Sequence, residues 1–251
     1  MSELLIERSP ESWVFTLNRP NSGNSLSPAL VAAFHQGLDN FEKAGVRVLL
    51  IQGTGRHFCT GFDLSDIADV TDAELLHRFV RIEQVLARLW AAPYTTIAVA
   101  KGRVMGAGAD LFAACSRRIA VDNSSFAFPG AAFGLVLGTR RLSRRIGESA
   151  ALHLITTGTV MDAPTALASG LATSHVEDGK LPSVLDTEIA AALRLDAITV
   201  RAVRHAASAE TRELDWDLAA LVRSAARPGL RERIIAYRAE VLGASAARTS
   251  S

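Results

Sequence analysis

Gly53-Thr54-Gly55-Arg56-His57-Phe58-Cys59-Thr60-Gly61-Phe62-Asp63 and Lys101-Gly102-Arg103-Val104-Met105-Gly106-Ala107-Gly108-Ala109-Asp110 are the two stretches from which the fold can be read. Each follows a β-branched apolar run, Val46 to Ile51 in the first case and Thr95 to Val99 in the second. Each leads into a segment of helical character. A strand that ends in a glycine turn and opens a helix leaves backbone N–H groups free at the helix start. Such groups suit an anion or a developing oxyanion. Two of these turns on neighbouring strands can present one N–H each to the same oxygen. The plainer alternative is that the glycines serve tight packing alone.

Outward from these turns the chain alternates strands and helices. Leu4 to Glu7 and Trp13 to Leu17 predict a hairpin across Ser9-Pro10. Ser27-Pro28 supplies an N-cap and an N1 proline for a helix on Leu30, Val31, Phe34, Leu38 and Phe41, which Gly45 closes. Thr71-Asp72-Ala73-Glu74 is a capping box that opens a long amphipathic helix on Leu75, Phe79, Ile82, Leu86 and Leu89, stopped by Pro93. The β-β-α rhythm continues to about residue 180 and predicts an α/β domain with sheets covered by helices. After Leu181 the pattern is helical throughout, and the tail from Ala244 is expected to fray.

Composition narrows the function. Basic and acidic residues, 27 against 26, nearly cancel, which argues against a nucleic acid or an anionic membrane as partner. The two cysteines, Cys59 and Cys115, have neither zinc nor redox spacing, and no metal site is expected. The N-terminal residues have no basic and apolar leader pattern, so a cytoplasmic protein is expected. His35, His57, His153, His175 and His205 have no acid or serine partner at a recognisable spacing, which leaves a serine-protease reading without a nucleophile–histidine pair.

Residues 53–63 resemble the G-x-G-x-x-F-x-A-G-x-D block of the enoyl-CoA hydratase/isomerase (crotonase) superfamily, with Thr60 in place of the usual alanine. Residues 101–120 resemble its N-G-x-A-x-G-G-G-x-E-L-A-x-x-C-D-x-R-I-A block. Leu17-Asn18-Arg19-Pro20 through Asn24-Ser25-Leu26, Phe126-Ala127-Phe128-Pro129, Gly138-Thr139-Arg140-Arg141-Leu142 and Ala168-Ser169-Gly170-Leu171-Ala172 are similar to further family segments, in the same order. The resemblance implies a crotonase-type spiral of β-β-α units over residues 1–190 that carries an acyl-CoA site. It also implies a C-terminal helical region over 191–251 that packs on neighbouring subunits of a homotrimer or hexamer. A helical cap on its own subunit is the alternative for that region. The only cofactor implied is the coenzyme A of the substrate itself.

In the family, two backbone N–H groups hold the thioester oxygen of an enolate, and they correspond here to Phe62 and Ala107. Ala107 stands where the family has glycine, which is tolerable only if its φ is negative. Asn24, Ser25, Leu26, Thr60, Gly61, Asp63 and Gly106 correspond to the segments around coenzyme A and substrate, with Asp63 more a brace for the turn than a ligand. Family hydratases carry two glutamates as acid and base. The first is Asp110 here, one methylene shorter; the second is Gly130, with no side chain. The loop Gly134 to Gly138 is shorter than usual and supplies no acid. Asp110 is therefore the catalytic candidate, as sole acid/base or paired with Glu83 or His77, or else a structural carboxylate in a site that binds acyl-CoA without turnover. Isomerase- or decarboxylase-like chemistry is expected rather than efficient hydration. Arg56, Arg140 and Arg141 read as surface or subunit-contact charges. Phe62, Phe79 and Phe133 either narrow the acyl pocket or belong to the core.

Overall fold

The structure, a computed structural model, describes residues 2–207 and 212–249. The hairpin forms as β1 (Leu4–Arg8) and β2 (Ser12–Leu17). Helix α1 (Pro28–Ala44) starts where Ser27 Oγ accepts the Leu30 amide at 3.0 Å and stops at left-handed Gly45. Strand β3 (Val48–Gly53) leads through the first glycine segment to α2 (Asp72–Trp90), whose capping box has both bonds in place. Next come β4 (Thr95–Ala100), β5 (Arg103–Met105) and α3 (Ala107–Ala114), then β6 (Arg117–Val121), β7 (Ser125–Ala127), α4 (Thr139–Ile146) and α5 (Glu148–Thr157). Strand β8 (Met161–Asp162), α6 (Ala163–Ser169) and β9 (Ser174–Val176) close the α/β part. Helices α7 (Leu181–Leu193), α8 (Ala197–Ala207), α9 (Arg212–Ala225) and α10 (Leu230–Thr249) follow. Helix α7 runs through the expected 190/191 boundary, and α10 continues past Ala244, where fraying was expected. Ser250 and Ser251 lie outside the described residues.

Six strands form one sheet in the order β1-β2-β3-β4-β6-β9, parallel except for the hairpin, and β5-β7-β8 form a second. The parallel strands are apolar on both faces because both are covered. Leu49 and Ile51 point into the main core with Leu30, Phe34 and Leu86, while Val48 and Leu50 pack with Ile97, Val99 and Ile119 beneath α7.

The second sheet sets the spacing of the site. Val104 of β5 pairs with Phe126 of β7 and, through an isolated bridge, with Cys59. Three successive β-β-α passes are thus aligned at residues 59, 104 and 126. Three residues beyond each alignment point stand Phe62, Ala107 and Pro129, the last beside Gly130. The two glycine blocks end next to each other because this register places them there.

Helices α9 and α10 pack part of their apolar surface on their own chain. Leu221, Ala225, Leu230 and Ile234 are buried against Ile67, Val70, Leu75 and Phe79. Other apolar side chains on these helices face outward, among them Ile198 at 82% exposure and Trp216 at 65%. No helix among the described residues is long and apolar enough to cross a membrane.

Candidate active site

A cavity of about 810 Å³ opens between the helix starts and α10; its walls include Phe62, Ala107, Asp110, Gly130, Phe133 and Tyr237. Phe62 and Ala107 each leave a backbone N–H outside the local ladder, for separate reasons. Leu26 donates to Gly61 O at 2.7 Å and accepts from Asp63 N at 3.4 Å, so it takes both bonds of a parallel bridge. Its bridge partner Phe62 therefore turns its own N–H away from Leu26. Ala107 is the first residue of α3, where an N–H has no partner within the helix. The first bond of that helix runs from Asp110 N to Gly106 O at 3.0 Å. The two turns touch: a Cβ on Gly61 would stand 2.9 Å from Met105 O and 3.6 Å from Ala107 N, and Gly61 has φ +101°. Only glycine meets both conditions at 61. Among the described residues Asn24 alone has a positive φ without being glycine, so Ala107 sits in the turn without strain.

Asp110 lies on the first turn of α3, is 5% exposed, and is among the residues that line the same cavity. It packs against the backbone of Gly138, where a Cβ would overlap Oδ1 and φ is +68°. Oδ1 is buried without a hydrogen-bond partner. Burial holds the Asp110 carboxyl well above the usual carboxylate range; Arg141 opposes the shift, and Glu83 and Asp217 add to it. The shift favours the neutral form of the group. A neutral carboxyl can give a proton to a carbanion or enolate and, once ionised, take one back.

Behind Asp110 lies a set of buried charges. Arg141 is completely buried and donates to both carboxylate oxygens of Glu83, with Nη1 to Oε1 at 2.9 Å. Its Nη1 also donates to Asp217 Oδ2 at 2.9 Å. Arg140 grips Asp217 with Nε and Nη2 at 2.9 and 2.7 Å. Burial works against the charge on Arg141, but Glu83 and Asp217 hold the guanidinium above its ordinary value. Burial raises Glu83, and the Arg141 bonds oppose that shift. These two arginines are not the surface charges that the sequence suggested. The acids on α2 and α9 draw them inward, since an arginine is buried only with partners.

Of the remaining expected site residues, Thr60, Gly61 and Gly106 line the cavity, whereas Asn24, Ser25, Leu26 and Asp63 do not. Asn24 clamps the first turn through Thr54 O and His57 O, at 2.9 and 2.7 Å, and accepts from Arg19 N. Ser25 accepts from Arg19 Nη1, and Asp63 pairs with the same arginine at 2.7 Å. Leu26 packs under the turn. These four brace the amides instead of facing the cavity. Neither partner suggested for Asp110 lines the cavity: Glu83 is tied to Arg141, and His77 lies in a separate small cleft with Arg78 and Arg81. A His–Asp contact does exist, His175 Nε2 to Asp122 Oδ1 at 2.8 Å, but neither residue lines the cavity. Phe62 and Phe79 stack at 4.4 Å on the cavity wall, and Phe133 meets Tyr237 at 5.3 Å. Tyr237 and Glu240 of α10 complete the lining and were missed by the sequence reading, because nothing local says where a C-terminal helix lands. No cluster of three His, Cys, Asp or Glu side chains among the described residues could hold a metal ion.

Comparisons with known proteins agree with this fold. The family described as enoyl-CoA hydratase/isomerase matches residues 12–235. The chain is 33% identical over 178 residues to the 2,3-dehydroadipyl-CoA hydratase of Escherichia coli, covering 68% of each chain. It is 31% identical over 206 residues to the enoyl-CoA isomerase/hydratase fer4 of Mycosarcoma maydis, covering 76% of this chain and 75% of the other. A crystal structure from Bordetella parapertussis, assigned to the enoyl-CoA hydratases/isomerases, is similar with TM-score 0.92 and 40% identity, covering 95% of this chain and 99% of that one.

Proposed function

The chain belongs to the enoyl-CoA hydratase/isomerase family, and from that premise we propose that it moves a proton at the α-carbon of an acyl-CoA thioester, with Asp110 as the acid/base. The thioester oxygen lies against the Phe62 and Ala107 amides, which stabilise the enolate. One such donor is worth about 3 kcal/mol, ~10²-fold or more in rate. In its protonated form Asp110 delivers its proton to the enolate carbon. The resulting carboxylate then takes a proton from carbon in the reverse step. Delivery alone completes a decarboxylation, in which loss of carbon dioxide leaves the enolate behind. Removal at one carbon and return at another completes a double-bond shift.

The observation that supports this reading is that Asp110, whose buried Oδ1 has no hydrogen-bond partner, lines the same cavity as Phe62 and Ala107. Glu240, on an exposed part of α10, is the other carboxyl on that lining. Hydration needs a second positioned group to guide water to the β-carbon, and position 130 has only a hydrogen to offer. Gly130 also supports a second reading, an acyl-CoA binder without turnover. NMR separates the two. In deuterated water the proposed enzyme exchanges the α-protons of a bound saturated acyl-CoA, and a binder leaves them untouched.

A further inference from the structure

We propose that Arg145 of α4 and Arg204 of α8, backed by Arg118 of β6, form a binding site for a phosphate-class dianion at the C-terminal end of α3. None of the three lines the acyl cavity. The geometry leads to this site in three steps. First, the three guanidinium groups converge on the dipeptide Cys115-Ser116. Cys115 O accepts from Arg118 Nη1 at 2.9 Å and from Arg145 Nη2 at 3.0 Å, so these two groups are neighbours. Ser116 O accepts from Arg118 Nη1 at 3.1 Å, and Ser116 Oγ accepts from Arg204 Nη2 at 2.8 Å. Second, no carboxylate among the described residues pairs with any of the three, whereas the adjacent Arg117 has Glu188 as its partner. Third, Ser116 stands where the family block has aspartate. The side chain that touches Arg204 there is a hydroxyl without charge. Cations held away from bulk water without an acid are costly unless a counter-ion joins them.

Helix-end carbonyls explain part of this arrangement but not its charge. The C-terminus of a helix carries about half a negative charge, against three positive ones here. Arg118 is buried and also donates to Leu171 O and Gly170 O, at 2.6 and 3.2 Å, so it contributes charge and no free donor. Arg145 and Arg204 are half-buried and keep donors to spare. Among the described residues Nη1 of Arg145 and Nε and Nη1 of Arg204 have no hydrogen bond. Arg145 donates from Nε to Ala113 O at 3.0 Å and lies 4.4 Å from the centre of the Trp90 ring, which together fix the plane of its fork. A fixed guanidinium fork with a second cation beside it matches the oxygens and the double charge of a phosphate. Burial pulls Arg118 and Arg145 below the ordinary arginine value; Arg145 adds to the first shift and Arg204 to the second. An anion among the three relieves that repulsion.

The test is calorimetric titration with inorganic phosphate at an ionic strength held constant with sodium chloride. Wild type is expected to bind it saturably, and Arg204→Ala to weaken binding at least ~10-fold. Ser116→Asp should weaken phosphate binding by a similar factor and raise the thermal midpoint, because its carboxylate supplies from within the chain what phosphate supplies from outside. Acetate, planar and singly charged, is expected to bind at least ~10-fold more weakly than phosphate. Phenyl phosphate distinguishes two sources of the same chemistry, and either result supports the site. Binding as tight as that of inorganic phosphate points to the terminal phosphate of a larger molecule, and exclusion points to the free ion. No saturable binding by wild type, as when a neighbouring copy's carboxylate already fills the cluster, overturns the inference. Phosphate binding that Arg204→Ala leaves unchanged overturns it too, and that variant decides alone should Ser116→Asp not fold. Acetate binding as tight as phosphate overturns the assignment of a dianion.

Discussion

Of the two amides on the cavity, the one at Ala107 can be removed by a substitution that the helix tolerates. Position 107 opens α3 and has no intrahelical bond to lose, and proline is favoured at such a first position. Ala107→Pro should therefore fold, keep coenzyme A affinity and lose ~10²- to 10³-fold in α-proton exchange. Equal exchange rates in the two proteins would remove Ala107 from the mechanism. Gly130 permits the opposite experiment. A Cβ there meets only Leu135 O at 3.6 Å and Leu135 Cβ at 4.0 Å, both ordinary contacts. Gly130→Glu is expected to add a second carboxyl on the cavity and raise crotonyl-CoA hydration by about 10²-fold. Ultraviolet loss of the enoyl band measures it, and no gain in a folded variant would show that the missing carboxylate is not what limits hydration. At this scale the sequence was most legible where backbone conformation is dictated by residue type, as at Gly61. It was least legible at Arg141, whose burial depends on acids 58 residues upstream and 76 downstream. One clue was present: Glu83 lies on the apolar stripe of its helix, between Phe79 and Leu86, where a charge implies a buried partner.

Among the elements, α10 depends on a single side chain at its start. Asp72, in the first turn of α2, accepts the amides of Gly229, Leu230 and Arg231 at 2.9, 3.0 and 2.7 Å. Those bonds, the one from Arg231 foremost, hold its carboxyl below the usual range, with burial opposing. A depressed carboxyl stabilises the fold above its unfolded value of about 4, and that contribution fades as pH falls through the folded value. Asp72→Ala should cost about 1 kcal/mol, as loss of a helix cap does, and the deficit should shrink toward low pH. Hydrogen exchange should quicken first across residues 230–240. Uniform acceleration over the whole chain would contradict the anchoring role. The capping box itself was legible because Thr71 and Glu74 bond within one turn. Its neighbour's grip on a helix more than 150 residues later was not. Strands β5 and β7, of three residues each, are too short to show a period of their own, yet their register is what brings Phe62 and Ala107 together.

For the whole molecule, the β-β-α passes and the match over residues 12–235 leave the fold class in no competition. Leu195, Ile198, Val203, Trp216 and Leu242 are each more than half exposed. A trimer or a dimer of trimers is expected by sedimentation at micromolar concentration, and Ile198→Glu should weaken it; a monomeric wild type would refute this. From residue types alone these faces were legible only as a helical period, since which side turns outward is set by three-dimensional neighbours. The central claim concerns the proton on Asp110, and exchange of acyl-CoA α-protons in deuterated water tests it most directly. Wild type should exchange them, and Asp110→Asn should bind the same acyl-CoA by calorimetry while exchange falls by at least ~10²-fold. Rapid crotonyl-CoA hydration by wild type, or exchange indifferent to Asp110, would contradict the account.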